Sequence, residues 1–478
     1  MSSQTPDGAD NGPPSSDTPL EAGGPPVRRV PADRIDRDAL DRSAQRVVQR
    51  LQRNGYEAYF VGGCVRDLLI GRVPKDFDVA TSAHPRDIRR LFKNGRIIGR
   101  RFRLVHVYYG EHIIETSTFR REPEAQEGSD SDDLLITEDN VFGTAIEDAL
   151  RRDFTVNALF LDPTEHVILD SVDGLTDLDA RTLRTIGDPA VRLAEDPVRI
   201  MRAIKFATRL DFRIEPATWS AMCEIAPQLQ RAAAPRVLEE ILRLLRSGVS
   251  LGAFRMLRAC GAMQVLLPVL DSFLGPRDPD QKQTRDRAER FWRLLEALDT
   301  EVHRGFQPSA PVALAVLFLQ VVASEAAQRL EASGNPDQAP DLISACWDVM
   351  EPVCSAARLS RRDFGRARRI IAQQPRFTEP QGKRFSPMLF ARSEEFPEAL
   401  DLFRLRVEAR GQGWDIYEGW KARMDRAGGV TEDELLTERK RVRRRPRRRR
   451  RRGKRGPARR PPESSDPGPG DSEPDAEA

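Results

Sequence analysis

Cysteine is scarce in this 478-residue chain: Cys64, Cys223, Cys260, Cys346 and Cys354 are the only five, and no two form a CxxC pair. A disulfide framework is therefore excluded as the organising device, and reduced thiols in a cytoplasmic protein are expected. The opening MSSQTPDGADNGPPSSD lacks the apolar core of a secretory signal. The longest apolar run, Val312 to Ala323, is interrupted by Gln320 and too short to cross a bilayer, so a buried helix is expected there and membrane insertion is not. No internal repeat is present. From Val249 to Thr437 no ligand-type constellation stands out, and His303, Trp347 and Trp414 read as core or surface residues.

What is there begins with charge. The net charge is +3, yet Arg439 to Arg460 holds 16 Lys or Arg and no acid, so the rest of the chain carries 3 minus 16, or −13. Such a block, with Pro446, Gly453, Gly456 and Pro457 interspersed, cannot bury a core; it is expected to be disordered, as is the acidic, Pro-rich end after Pro461. It attracts polyanions by counterion release, which points to nucleic acid rather than to a particular chemistry.

At the other end, residues 1–30 are rich in Pro, Gly, Ser and Asp and read as a flexible leader. Leu40, Ala44, Val47, Val48 and Leu51 recur at helical spacing and stop at Asn54 and Gly55. Strand-type segments follow at Ala58 to Val61, Phe77 to Ala80, Leu104 to Tyr109 and Ile113 to Phe119, the last two joined by a hairpin at Gly110 and Glu111. His84 to Phe92 reads as a helix opened by Pro85. Arg121 to Asp139 is acidic and turn-rich, a loop by composition. A helix then leads into RRDFTVNALFL, and a last strand is expected near Val167 to Leu169. The pattern is almost wholly helical after Asp173, with Leu238, Ile241, Leu242 and Leu245 on one face ending at Gly248. The expected organisation is α+β: a leader over 1–30, a small mixed α/β head over 31–170, helices over 171–248 and 249–437, and a basic tail over 438–478.

The chemistry concentrates in Tyr59 to Thr81, YFVGGCVRDLLIGRVPKDFDVAT. A D-x-D pair alone means little, because this chain also has Asp36 with Asp38, Asp130 with Asp132, Asp177 with Asp179 and Asp278 with Asp280. Asp76 and Asp78 differ in setting: on a strand, residues two apart face one side, so both carboxylates share a site while Phe77 faces the core. Adjacent carboxylates repel unless a cation neutralises them, and hard oxygen ligands suit Mg²⁺. Upstream, Gly62 and Gly63 lie between a strand and a helix, where bare backbone and a helix N-terminus favour phosphate. Arg66 is expected to reach over that phosphate, with Asp67 in a structural salt bridge.

With these residues in place the chain resembles the family of bacterial poly(A) polymerases and CCA-adding tRNA nucleotidyltransferases. The resemblance is carried by GGCVRD at Gly62 to Asp67, DFD at Asp76 to Asp78, RRDFTVNAL at Arg151 to Leu159, VDGLTDL at Val172 to Leu178 and EDPVRIMRAIKF at Glu195 to Phe206. It implies a polymerase-β-like nucleotidyltransferase head, then an all-helical neck and RNA-binding body. By resemblance Asp76 and Asp78 bind two Mg²⁺ ions that activate an RNA 3′-hydroxyl and stabilise departing pyrophosphate. Asp153 is the implied third carboxylate, and strand geometry offers Glu115 as its rival. Arg151 and Arg152 are implied contacts of the ATP triphosphate or sugar. Asp196 and Arg199, three apart and hence expected on one helical face, are implied to read the base, with Arg202 continuing the face. The family has arginine where this chain has Lys205, which lacks the planar fork.

Two features resemble the poly(A) branch: RIIGRRFRLVHVYYG at Arg96 to Gly110, and the arginine-rich end. His106 in that stretch reads either as a substrate contact or as an ordinary strand histidine. The implied function is template-independent transfer of AMP from ATP to RNA 3′ ends, on mRNA fragments, tRNA or small RNA, with RNA-decay proteins as candidate partners. The alternatives are a CCA-adding or A-adding tRNA nucleotidyltransferase and a catalytically inactive RNA-binding relative.

Overall fold

Eight strands make one sheet among the described residues of the computed structural model, which cover 26–99, 103–121, 141–276, 282–334, 340–378 and 385–428. The strands are β1 (Arg28–Pro31), β2 (Ala58–Val61), β3 (Asp78–Thr81), β4 (Gly95–Ile98), β5 (Leu104–Tyr109), β6 (His112–Thr118), β7 (Phe160–Asp162) and β8 (Val167–Asp170), in the order β1-β8-β7-β2-β3-β6-β5-β4. The β3–β6 pair is parallel and the other pairings of this sheet are antiparallel. The expected hairpin is β5 and β6, turning at Gly110, whose φ is +63°.

Three strands escape a pattern reading. β1 lies partly in the stretch read as leader; RRVP has no apolar alternation and is held by pairing with β8. β4 begins on a glycine and is largely exposed, and β7 has three residues, too few for a period to register. A further correction concerns β3: it starts at Asp78, not Phe77, so Asp76 precedes the strand. Asp78 pairs with Val61, the last residue of β2, and at Gly62 the backbone turns away with φ +75°, leaving nothing for Asp76 and Phe77 to pair with. The basic tail, the 1–25 part of the leader and most of the acidic loop lie outside the described residues.

Three helices lie on one face of the sheet. α1 (Arg42–Arg53), capped by Asp41 accepting from the Ala44 amide at 2.7 Å, buries Ala44, Val47, Val48 and Leu51. The short α2 (Gly63–Leu69) follows β2, and α3 (Pro85–Leu91), opened by Pro85 as expected, packs against β4 and β5. Across the sheet Val61, Ala80, Phe119 and Phe160 form a smaller apolar cluster under α4 (Ala145–Leu150), whose Thr144 and Glu147 make a capping box. The chain continues through α5 (Gly174–Asp179), α6 (Pro189–Glu195), α7 (Val198–Leu210), α8 (Pro216–Ile225) and α9 (Ala234–Leu245). Among the described residues the helical stretch holds one strand pair, Thr182–Leu183 beside Arg213–Ile214, that its periodicity does not announce.

Among the described residues the longest helix, Ala310–Ser333, has 24 residues, twice the apolar run, and by length and composition is long enough to cross a membrane; 67% of its apolar window is buried inside the protein. It packs against Leu342–Ala356, Arg361–Gln373 and Phe396–Arg410, so its apolar surface is explained as core. All five cysteines are free thiols and four are buried.

Among these helices Asp401 is pushed up to about 6 by burial, with Glu398 and Glu301 adding to it against the pull of Arg404. A carboxylate that holds its proton more tightly folded than unfolded costs stability above its folded pKa and costs nothing below its ordinary value of 3.8. Asp401→Asn should therefore raise the melting temperature at pH 7 by about 2 °C, and that gain should vanish as the pH falls to about 4.

Candidate active site

The turn after β2 puts Gly62 at φ +75°, ψ −131°, a conformation that favours glycine, and a Cβ there would stand 3.1 Å from Nη1 of Arg152. Gly63 opens α2. These glycines, with Asp76, Asp78, Asp153, Arg151 and Arg152, line a cleft of about 930 Å³ whose far wall comes from α6, α7 and α9. Asp78 also lines an adjoining cavity of about 380 Å³ with Glu115, Ser117, Arg151 and Arg152.

Arg66 lines the cleft, but its guanidinium is committed. It is buried, donates from Nε and Nη2 to Asp67 Oδ1 at 2.9 and 2.6 Å, and donates from Nη1 to Asn157 Oδ1 at 2.5 Å. Its plane also lies over the Phe206 ring at 5.3 Å. Arg66 thus ties α2 to the 155–157 turn and to α7. Arg152 donates to Asp148 Oδ2 at 2.9 Å and lies over Phe160, at the boundary of the two cavities.

The carboxylates sit in different fields. Burial pushes Asp78 up to about 6, Glu115 and Asp76 add to the rise, and Arg152 opposes it. Asp153 is held below the ordinary carboxylate range: burial alone would raise it, but Arg202 and Asn157 outweigh that. Its Oδ2 accepts from Arg202 at 2.6 and 2.8 Å, and its Oδ1 from the Phe154 amide at 2.9 Å and Asn157 Nδ2 at 3.1 Å. Glu115 is half exposed on β6, with His106 Nε2 at 3.5 Å. Among the described residues no three His, Cys, Asp or Glu side chains group closely enough to hold a metal by themselves.

Asp196 and Arg199 do not share a helix as expected. Asp196 ends α6 with an extended backbone, φ −145°, ψ 90°, because Pro197 disfavours a helical residue before it; Arg199 belongs to α7. Both still line the cleft. Asp196 Oδ2 accepts from Arg236 Nη2 at 2.7 Å. Arg199 is buried, donating to Glu195 at 3.0 Å and to the Arg192 carbonyl at 2.5 Å; burial, then the neighbouring Arg192, lowers its pKa. Lys205 turns to Glu240 on α9 at 2.7 Å, is lowered by burial, and is not among the residues lining the cleft.

Sequence reading missed the basic rim of Arg209, Arg231 and Arg236. Arg209 follows Arg202 by seven residues, two helical turns, so periodicity carried a signal for it. The other two reach the cleft only through packing of the segments on either side of Ala232.

Three family descriptions match this chain: "Poly A polymerase head domain" over residues 58–184, "Probable RNA and SrmB- binding site of polymerase A" over 211–274, and "Polymerase A arginine-rich C-terminus" over 334–455. Among curated proteins it is 34% identical over 408 residues to Poly(A) polymerase I of Haemophilus influenzae, covering 84% of this chain and 88% of that protein. A CCA-adding enzyme of Streptococcus suis is 41% identical over 199 residues, 42% of this chain and 48% of that one. Among solved structures, the Bacillus stearothermophilus CCA-adding enzyme in complex with CTP has a TM-score of 0.58 at 25% identity, covering 80% of this chain and 81% of that one. The Thermotoga maritima CCA-adding enzyme complexed with tRNA has a TM-score of 0.55 at 18% identity, covering 86% and 92%.

Proposed function

Because the chain belongs to the poly(A) polymerase family and has the polymerase-β-like nucleotidyltransferase fold, we propose that it transfers AMP from ATP to RNA 3′ ends without a template. It is a nucleotidyltransferase, and its relatives place the class of reaction at RNA 3′ ends. The observation that carries the finer reading is the extent of likeness: the poly(A) polymerase relative matches nearly end to end, whereas the CCA-adding relative matches less than half of the chain.

The donor set fits magnesium. Burial raises Asp78, and Glu115 and Asp76 add to the rise against the pull of Arg152, so a cation beside it would relieve that field; Mg²⁺ is ordinarily held by one or two carboxylates plus substrate phosphates. Held by Asp76 and Asp78, two Mg²⁺ ions would supply activation of the RNA 3′-hydroxyl and charge neutralisation on the departing pyrophosphate. In this reading the backbone of Gly62 and Gly63 and the cations of Arg151 and Arg152 hold the ATP triphosphate. Arg66 keeps that turn in shape rather than touching phosphate. For the third carboxylate we favour Glu115 over Asp153, since Glu115 shares the field of Asp78 while both oxygens of Asp153 are engaged. Asp153 then positions Arg202, and Asp196 and Arg199, each fixed by a salt bridge, present an acceptor and a donor to the base.

The organisation proposed with it is a head over 31–170, a neck over 171–248 carrying the base-reading pair, and an RNA-holding body over 249–437. The second reading, a CCA-adding or A-adding tRNA nucleotidyltransferase, is favoured by the solved structures this fold is similar to. Purified protein incubated with an arbitrary RNA and with tRNA, each with labelled ATP or labelled CTP, separates the two. Long ATP-dependent tails on the arbitrary RNA are the expected result, and CTP incorporation confined to tRNA ends would overturn it.

A further inference from the structure

One row of side chains runs straight across four strands of the sheet. Arg96 on β4 is in register with His106 on β5, and His106 with Glu115 on β6. β6 pairs with β3 at Thr116 and Val79, which brings Glu115 and Asp78 side by side. The row therefore reads Asp78, Glu115, His106, Arg96. All four face away from the helix-covered core, since β5 alternates buried Val105 and Val107 with partly exposed Leu104, His106 and Tyr108. Strands lie about 4.8 Å apart, so His106 stands about 10 Å from Asp78 and Arg96 about 14 Å.

The far half of this row has the chemistry of a stacking platform. His106 and Tyr108 rings lie 6.2 Å apart at 66°, and the Arg96 guanidinium lies over Tyr108 at 5.4 Å. Aromatic rings and guanidinium planes are the surfaces on which unpaired bases stack. The smaller cavity beside Asp78 is lined by Leu104 of β5, the strand that carries His106 and Tyr108, by Glu115 and Ser117 of β6, and by Arg120.

We propose that this sheet face, with Tyr108, His106 and Arg96, holds the last two or three nucleotides of single-stranded RNA and delivers the 3′ end to Asp78. The proposal rests on the nucleotidyltransferase reading above. Stacked nucleotides repeat at about 3.4 Å along a strand, so the span from Asp78 to His106 takes the terminal nucleotide and the two behind it. Arg96, at the outer end of the row, meets the next phosphate. An enzyme without a template must hold whatever end it has just made, and stacking is tolerant of base identity where hydrogen-bond readout is not.

The test is steady-state kinetics of the full chain with a single-stranded RNA oligomer and ATP, comparing Tyr108→Ala, Tyr108→Phe and Arg96→Gln. Tyr108→Ala should raise the KM for RNA about tenfold, leave the KM for ATP unchanged, and be rescued by Tyr108→Phe, which keeps the ring. Arg96→Gln, at an exposed position on the outermost strand, should raise the RNA KM and flatten its salt dependence. An unchanged RNA KM in both Tyr108→Ala and Arg96→Gln, or a Phe variant no better than Ala, overturns the proposal. The wild-type choice between ATP and CTP is read in the same reactions; a chain that uses only CTP sinks the polyadenylation reading while the comparison of RNA KM values still stands.

Discussion

Asp78→Asn and Asp76→Ala are each expected to abolish incorporation, by a factor of about 10³ or more, while retention of RNA on a filter survives. A metal-held transition-state charge is worth several kcal/mol, and each 1.36 kcal/mol is about tenfold in rate. The environment of Asp78 is arranged for function at some cost to stability, since burial and two like charges push its carboxyl up to about 6. An asparagine in its place removes that repulsion, so the inactive Asp78→Asn protein should be no less heat-stable than the wild type in a chelator. Incorporation above about one hundredth of the wild-type rate in either variant would remove these residues from the chemistry, a threshold set at the smallest effect of one lost transition-state donor, about 10²-fold. The same assay decides the third carboxylate: Glu115→Gln should lose activity with an unchanged melting temperature, whereas Asp153→Asn should lose stability as well.

Arg202→Ala carries the second large effect, on folding as much as on turnover. The variant leaves Asp153, which accepts two bonds from Arg202 at 2.6 and 2.8 Å, as an uncompensated buried charge. Asp153 is buried but the Arg202 side chain is 35% exposed, so solvent screening brings the loss below the about 3–5 kcal/mol of a fully buried pair, to about 2 kcal/mol. The sign with pH follows from the depressed Asp153 carboxyl. Its contribution is fully present above the ordinary Asp value of 3.8 and is lost as the pH falls through the lower folded value, so the gap in melting temperature between wild type and Arg202→Ala should narrow in acid. The pair variant Asp153→Asn with Arg202→Gln should recover part of the lost stability, because it leaves neither charge stranded. A melting temperature for Arg202→Ala equal to that of the wild type at neutral pH would show the pair to be idle.

The parts legible in the sequence are those whose signal is local. α1 shows itself through Ala44, Val47, Val48 and Leu51, α3 through Pro85, and the β5–β6 hairpin through alternation on either side of Gly110. β1 was not legible, because RRVP forms a strand only where β8 offers it an edge. The break between Asp196 and Arg199 was written in the sequence as a proline at 197, but the three-residue spacing drew attention to a helical face instead. The basic rim at Arg231 and Arg236 had no local mark at all.

The reaction class and its components are legible in the residues alone: a glycine turn before a helix, a D-x-D running into a strand, and an ordered series of motifs that chance does not assemble. How those components are partnered follows from the packing of distant segments. Asp153 meets Arg202 across 49 residues and Arg66 meets Asn157 across 91. Asp78, Glu115, His106 and Arg96 fall into one row only because a parallel pairing sets β3 beside β6. Periodicity reports which way a side chain points within its own element. Burial, charge and partner depend on the element packed opposite, and those terms separate a carboxylate raised toward 6 from one held low by an arginine.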